Sequence, residues 1–113
     1  MSKVEAYIRP EKMDSVKDAL ANEGIIGLSV IQITGRGAQR EIRTGGRGTQ
    51  SYVVDMLNQL KVEVVVSDAD TPKNIATIVA NARTGNADDG KIFITPVSKV
   101  IRIRTGETGD QVL

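Results

Sequence analysis

The sequence predicts an α+β fold made of two β-α-β units joined by a long loop. Three observations carry that prediction. Residues 3–9 alternate Val4, Ala6 and Ile8 with Lys3, Glu5, Tyr7 and Arg9, the period of a half-buried strand. Two segments, 11–23 and 71–82, place apolar residues at helical spacing. Runs of β-branched residues follow the first of these segments and flank the second.

Each element has a local reason. Pro10 ends the first strand, since it has no N–H for a ladder. Met13, Val16, Ala19 and Leu20 form one face of the first helix, and Gly24 stops it. Residues 28–33 read as the second strand. Residues 35–50 show no period and hold five glycines with Arg36, Arg40, Arg43 and Arg47, so a long flexible loop is expected over about 36–53. Residues 53–60 fit neither period, and 61–66 is a strand. Asp70 or Thr71 is expected to cap the second helix, with Pro72 in its first turn. Ile75, Ile78, Val79 and Ala82 mark that helix's apolar face. Residues 92–95 are the last sheet strand, and 100–104 read as a short appended strand. This order matches the ferredoxin-like βαββαβ arrangement, an antiparallel sheet with both helices on one face. One domain, 1–113, is expected, with a mobile end beyond Gly106.

Composition narrows the chemistry. Aromatics are limited to Tyr7, Tyr52 and Phe93, so the core must be aliphatic. A chain of 113 residues gains from self-association, because it buries a modest share of its surface alone. With no Cys and no His, disulfides, Cys/His metal sites and thiol or imidazole catalysis are excluded. No apolar run approaches the roughly 20 residues that span a bilayer, and Met1–Glu5 has no signal-like character. A cytoplasmic protein without membrane insertion is expected. A formal charge of +1 supplies no general pull toward nucleic acid.

The last third carries the most chemistry. Gly85 and Gly90-Lys91 fit the first seven positions of a P-loop, but Ile92 stands where a hydroxyl would hold magnesium. The context is also reversed, helix to strand. A P-loop is therefore rejected, yet Gly90 still lets backbone approach an anion and Lys91 adds a point charge. The alternative is a helix cap at Gly85 and a turn at Asp89-Gly90. Asp88 and Asp89 repel phosphate unless they point away, hold a cation or accept from a ribose or base amine. Arg102 and Arg104, two apart on a strand, share a face and repel each other unless an anion or carboxylates sit between them. An exposed strand with long arginines is the alternative there. Together the two segments suit a nucleotide phosphate chain.

The Arg/Gly-rich loop allows two readings: a nucleic-acid clamp, or an arm that docks on partner proteins. The loop lacks a stacking aromatic before Tyr52 and the net charge is near zero, so the partner arm is favoured. Catalysis finds no nucleophile–base pair, so an enzyme is not expected.

The whole chain resembles the PII nitrogen-regulatory signalling proteins. The matching stretches are Ile8-Arg9-Pro10-Glu11-Lys12, Gly24-Ile25 with Gly27-Leu28-Ser29-Val30, Gly35-Arg36-Gly37 with Gln39, Val54-Asp55 with Leu57, Thr84-Gly85 with Asp89-Gly90-Lys91-Ile92-Phe93, and Arg102 to Glu107. The last two are the most specific. The resemblance implies a homotrimer with ATP or ADP bound between subunits and often 2-oxoglutarate. It implies target proteins such as an ammonium channel, another transporter or a nitrogen-metabolic enzyme. By position, Ser29, Gly35, Gly37 and Val65 would line the adenine and ribose pocket. Asp89, Gly90, Lys91, Arg102 and Arg104 would form the phosphate side. Gln39 would help hold Mg2+ when 2-oxoglutarate is bound. Arg40, Arg43 and Arg47 would lie on the docking loop.

Departures from the family pattern qualify this. Family members commonly carry a Lys, which pairs with a 2-oxoglutarate carboxylate, at the position of Gln59. A neutral amide there removes a charge-assisted hydrogen bond of roughly 1.5–3 kcal/mol, so weakened 2-oxoglutarate binding is expected. Ala38 replaces a basic residue, and Asp88 replaces the first glycine of a Gly-Asp-Gly-Lys run. Tyr52 stands where the family's modified Tyr falls, but without the surrounding motif its ring is expected to anchor the loop base. The rival reading is a constitutive binding module that uses the Arg/Gly-rich loop without sensing nucleotides.

Overall fold

The computed structural model describes residues 1–25, 27–36, 42–44, 50–52 and 56–113. Its elements are β1 (Ser2–Ile8), α1 (Met13–Asn22), β2 (Ser29–Arg36), β3 (Ile42–Thr44), β4 (Gln50–Tyr52), β5 (Met56–Val66), α2 (Thr71–Ala82) and β6 (Lys91–Pro96). Four strands form one antiparallel sheet in the order β2-β5-β1-β6, and β3 pairs with β4 in a separate ribbon. The sheet with its two helices is the α+β, ferredoxin-like arrangement that the element order predicts.

Alternation on β1 decides which face is buried. Val4, Ala6 and Ile8 lie beside Val62, Val64 and Val66 of β5 and pack with Val16 and Leu20 of α1 and Ile78 and Ala82 of α2. Each fully buried Val, Leu or Ile stabilises the fold by about 1.5–3 kcal/mol. The opposite face carries Lys3, Glu5 and Tyr7 in register with Val65, Glu63 and Lys61. Ion pairs Lys3–Glu5 and Lys61–Glu63, both 2.9 Å, lie there. The ring of Tyr7 meets Phe93 of β6 edge-to-face at 5.4 Å, and Phe93 stays half exposed.

Helix ends follow local chemistry, with one correction. Gly24 stops α1 at φ +85°, and its N–H donates to the Ala21 carbonyl at 2.9 Å. Asp70 stands at the N-cap position of α2 with Pro72 in the first turn, as expected, but its side chain makes no capping hydrogen bond. Asp70 is already in helical conformation, so its carboxylate does not fold back onto the first turn. Ser67 organises the entry instead: its hydroxyl accepts from the Asp70 N–H at 3.3 Å, and its carbonyl accepts from the Thr71 hydroxyl at 2.8 Å.

Strand pairing settles one open segment and corrects two expectations. Residues 53–60 fit no period alone, yet Met56–Leu60 belongs to β5, because β2 pairs with it from Arg36–Met56 to Ser29–Glu63. Within the expected loop, Gly35 and Arg36 continue β2, while Ile42–Thr44 and Gln50–Tyr52 pair with each other. Strands of three residues are too short to show a period. Residues 100–104 form no strand. A single bridge joins Ile101 to Thr108, and residues 102–107 close into a turn. Gly106, at φ +72°, donates its N–H to the Arg102 carbonyl at 2.8 Å, which bends the chain where a strand would run straight. Asp110–Val112 forms a 3-10 turn at the end expected to be mobile.

Candidate functional site

The loop between α2 and β6 is organised around one carboxylate. Asp89 Oδ2 accepts from the N–H groups of Thr84 and Gly85, each at 2.8 Å. Its Oδ1 accepts from the Thr84 hydroxyl and from Arg9 Nε at 3.1 Å. The Thr84 hydroxyl, acting first, holds the Asp89 carboxyl well below the usual carboxylate range. Partial burial opposes this, and the two N–H groups and Arg9 reinforce it. Asp89 is thus committed inside the loop, which answers the repulsion expected between it and a phosphate. Gly90 follows at φ +106°, a conformation that favours glycine. Lys91 then opens β6 opposite Tyr7. Among the described residues Lys91 has no carboxylate partner.

The second basic segment is a turn, so Arg102 and Arg104 do not share a strand face. Arg102 Nη1 reaches Glu107 Oε1 at 3.4 Å, and the Arg102 N–H donates to the Glu107 carbonyl at 2.9 Å. Glu107 therefore braces one guanidinium. Arg104 is exposed and, among the described residues, has no carboxylate partner.

The sheet register divides the predicted site residues into two groups. Gly35 pairs with Leu57 beyond the Ile8–Leu60 pair, so it lies at the end of the sheet where Gly90 and Lys91 enter. Val65 pairs with Lys3 toward the other end, where the Val97 N–H donates to the Met1 carbonyl as the chain leaves β6 toward Arg102. Ser29 pairs with Glu63 between these ends. Lys3 and Tyr7 are separated by about 13 Å of extended strand. Within one chain Val65 therefore lies away from Gly90 and Lys91.

Residues Gly37, Gln39, Arg40 and Arg47, with Ala38 and Thr49, lie outside the described residues. Arg43 pairs with Ser51, and Tyr52 with Ile42, in the β3–β4 ribbon. Sequence reasoning missed Arg9 and Thr84 as the braces of Asp89. The available signal was Thr84, five residues before Asp89, at a helix end. A cleft of about 400 Å3 beside the loop is lined by Ile75, Val79, Ile92 and Ile94 together with Asp89 and Lys91. Among the described residues no cluster of three acidic metal ligands occurs, and no helix is long and apolar enough to cross a membrane.

Comparison with known proteins agrees with this architecture. Residues 1–107 match the sequence profile of the family described as nitrogen regulatory protein P-II. The chain is 52% identical over 107 residues to a nitrogen regulatory protein P-II of Nostoc punctiforme, covering 95% of each chain. It is 49% identical over 107 residues to that of Synechocystis sp., again covering 95% of each. Against nitrogen regulatory protein P-II 2 of Methanothermobacter thermautotrophicus, identity is 47% over 109 residues, covering 96% of this chain and 94% of the relative. The chain belongs to the nitrogen regulatory protein P-II family, a family of regulatory signal-transduction proteins.

Proposed function

We propose that this protein is a non-enzymatic nucleotide sensor that works as a homotrimer and regulates a partner protein of nitrogen metabolism or transport. ATP or ADP binds between neighbouring subunits. The observation that carries this reading is the division of the site residues along the sheet. One group, Gly35 with Gly90 and Lys91, stands at one end. Val65 and the segment leading to Arg102 and Arg104 belong to the other. Two copies side by side complete a site that one chain leaves open. Exposed Phe93, Ile94, Ile101 and Ile103 support association, because burying them removes apolar surface from water.

The mechanism is a population shift. ATP and ADP would differ in their contacts to Lys91, Arg102 and Arg104, and Gln39 would help hold Mg2+, which would supply positive charge to the phosphates. That difference selects among arrangements of the segment from Arg36 to Tyr52, which carries Arg40, Arg43 and Arg47 to the partner. In the cytoplasm this would report energy status to a target such as an ammonium channel, another transporter or a nitrogen-metabolic enzyme. Gln59 weakens the 2-oxoglutarate input.

Calorimetric titration with ATP and ADP, with and without Mg2+ and 2-oxoglutarate, tests the reading. Micromolar affinity that falls in Lys91→Ala and Arg104→Ala, with the fold intact by circular dichroism, is expected. Undiminished binding in both variants, or no binding by the wild type, would sink it.

A further inference from the structure

We infer that Arg9 and Asp89 form a positioning pair that sets the height and orientation at which Gly90 and Lys91 meet a phosphate chain. This rests on the nucleotide-binding reading above and adds to it Arg9 and the inward hold on Asp89. The β1–β6 ladder pairs Tyr7 with Lys91. Counting that register two steps further sets Arg9 opposite Asp89. The ion pair, Arg9 Nε to Asp89 Oδ1 at 3.1 Å, therefore spans the segments that extend β1 and β6 where the ladder has stopped. Between them Gly90 turns to φ +106° and leaves β geometry.

Beyond Lys91 the β1–β6 ladder no longer holds the loop. Arg9 ties it from the far side. Asp89 transmits that hold to Thr84 and Gly85 through their N–H groups, so the loop from 84 to 89 moves with the end of β1. Arg9 itself is seated by what surrounds it: its carbonyl accepts from the Lys12 N–H at 3.0 Å, and Glu11 lies 3.8 Å from Nη1. Glu11 is a loose second partner for the guanidinium, so loss of Asp89 does not leave Arg9 without a counter-charge.

The test is calorimetric ATP titration of the full chain as wild type, Arg9→Gln, Arg9→Lys and Asp89→Asn, each repeated in a Lys91→Ala background, with thermal melts of every variant. Arg9→Gln and Asp89→Asn are expected to weaken ATP binding about tenfold, the scale of one charge-assisted hydrogen bond. Arg9→Lys should recover most of that loss. In the Lys91→Ala background Arg9→Gln should add less than about twofold, because the pair acts through Lys91. A merely structural role would lower the melting temperature and leave this coupling at zero. Wild-type affinity in Arg9→Gln, or the same loss in both backgrounds, overturns the inference while leaving the nucleotide reading standing. Failure of the wild type to bind ATP overturns both. If Asp89→Asn does not fold, the Arg9 series decides, since Arg9 meets Asp89 by its side chain alone.

Discussion

A Cβ placed on Gly90 would lie 1.7 Å from the carbonyl oxygen of Tyr7. The loop can therefore rest against the end of β1 only because position 90 has no side chain. Gly85 provides a control on the same loop. It also has positive φ, +90°, but a Cβ there meets nothing within 4 Å.

Gly90→Ala should cost more stability than Gly85→Ala. Backbone strain at positive φ applies to both, on the order of 1 kcal/mol. The clash with Tyr7 adds about 1–3 kcal/mol at position 90 alone. Urea denaturation of the two variants checks this. Equal midpoints would mean that β1 yields to the added methyl group without loss.

Acid should reveal Asp89. Its carboxyl is depressed in the folded protein, so it contributes stability above its unfolded value of ~3.9. That contribution is lost as pH falls below that value toward the lower folded one. Melting temperatures of wild type and Asp89→Asn should differ by a constant margin from about pH 5 to 8. The margin should shrink below about pH 4. A margin independent of pH down to pH 2 would show that the carboxylate is not the group responsible.

Gln59→Lys should strengthen the response to 2-oxoglutarate. Gln59 lies opposite Ile33, on the same face as Lys61. A charged partner there restores a bond of roughly 1.5–3 kcal/mol, about ten- to a hundredfold in affinity. Calorimetry with ATP, Mg2+ and 2-oxoglutarate reads it. No change in the coupling would place the 2-oxoglutarate deficit elsewhere, with Ala38 and Asp88 next to examine.

Asn74→Val should stabilise the protein. Asn74 is 1% exposed on the buried side of α2, and among the described residues both its amide atoms lack a hydrogen-bond partner. An unsatisfied buried polar group costs about 1–3 kcal/mol, and an apolar side chain of similar size removes that cost. A higher urea midpoint with unchanged slope is expected. A lower midpoint would show an amide bonded to water and sink the prediction.

The parts legible from sequence are those with a local cause. Period-2 alternation in Lys3–Arg9 identified β1, and the spacing of Ile75, Ile78, Val79 and Ala82 identified α2. The β2–β5 ribbon was only partly legible. Residues 53–60 carry no period of their own, and Met56–Leu60 become strand because Ile33 and Thr34 lie across from Gln59 and Asn58. Residues 100–104 erred the other way. Their β-branched residues alternate with arginines, but Gly106 turns the chain back onto Arg102 before any edge can pair with it. Gly90 and Lys91 stood out in the sequence as residues able to face an anion, beside the plainer reading of a cap at Gly85 and a turn at Asp89-Gly90. The hold of Arg9 on Asp89 did not, because 80 residues separate the partners.

The sequence by itself determined the α+β class, the aliphatic core, the exclusion of Cys and His chemistry, and the family to which the chain belongs. The first three follow from composition and short-range spacing, which folding does not alter, and the family follows from residues matched along the whole chain. Only the tertiary structure decided that Asp89 turns inward to Thr84, Gly85 and Arg9 rather than out toward a ligand. It also set Val65 apart from Gly90 and Lys91. A carboxylate's direction and a residue's place along a sheet depend on strand register, and register is fixed by contacts between segments distant in the chain.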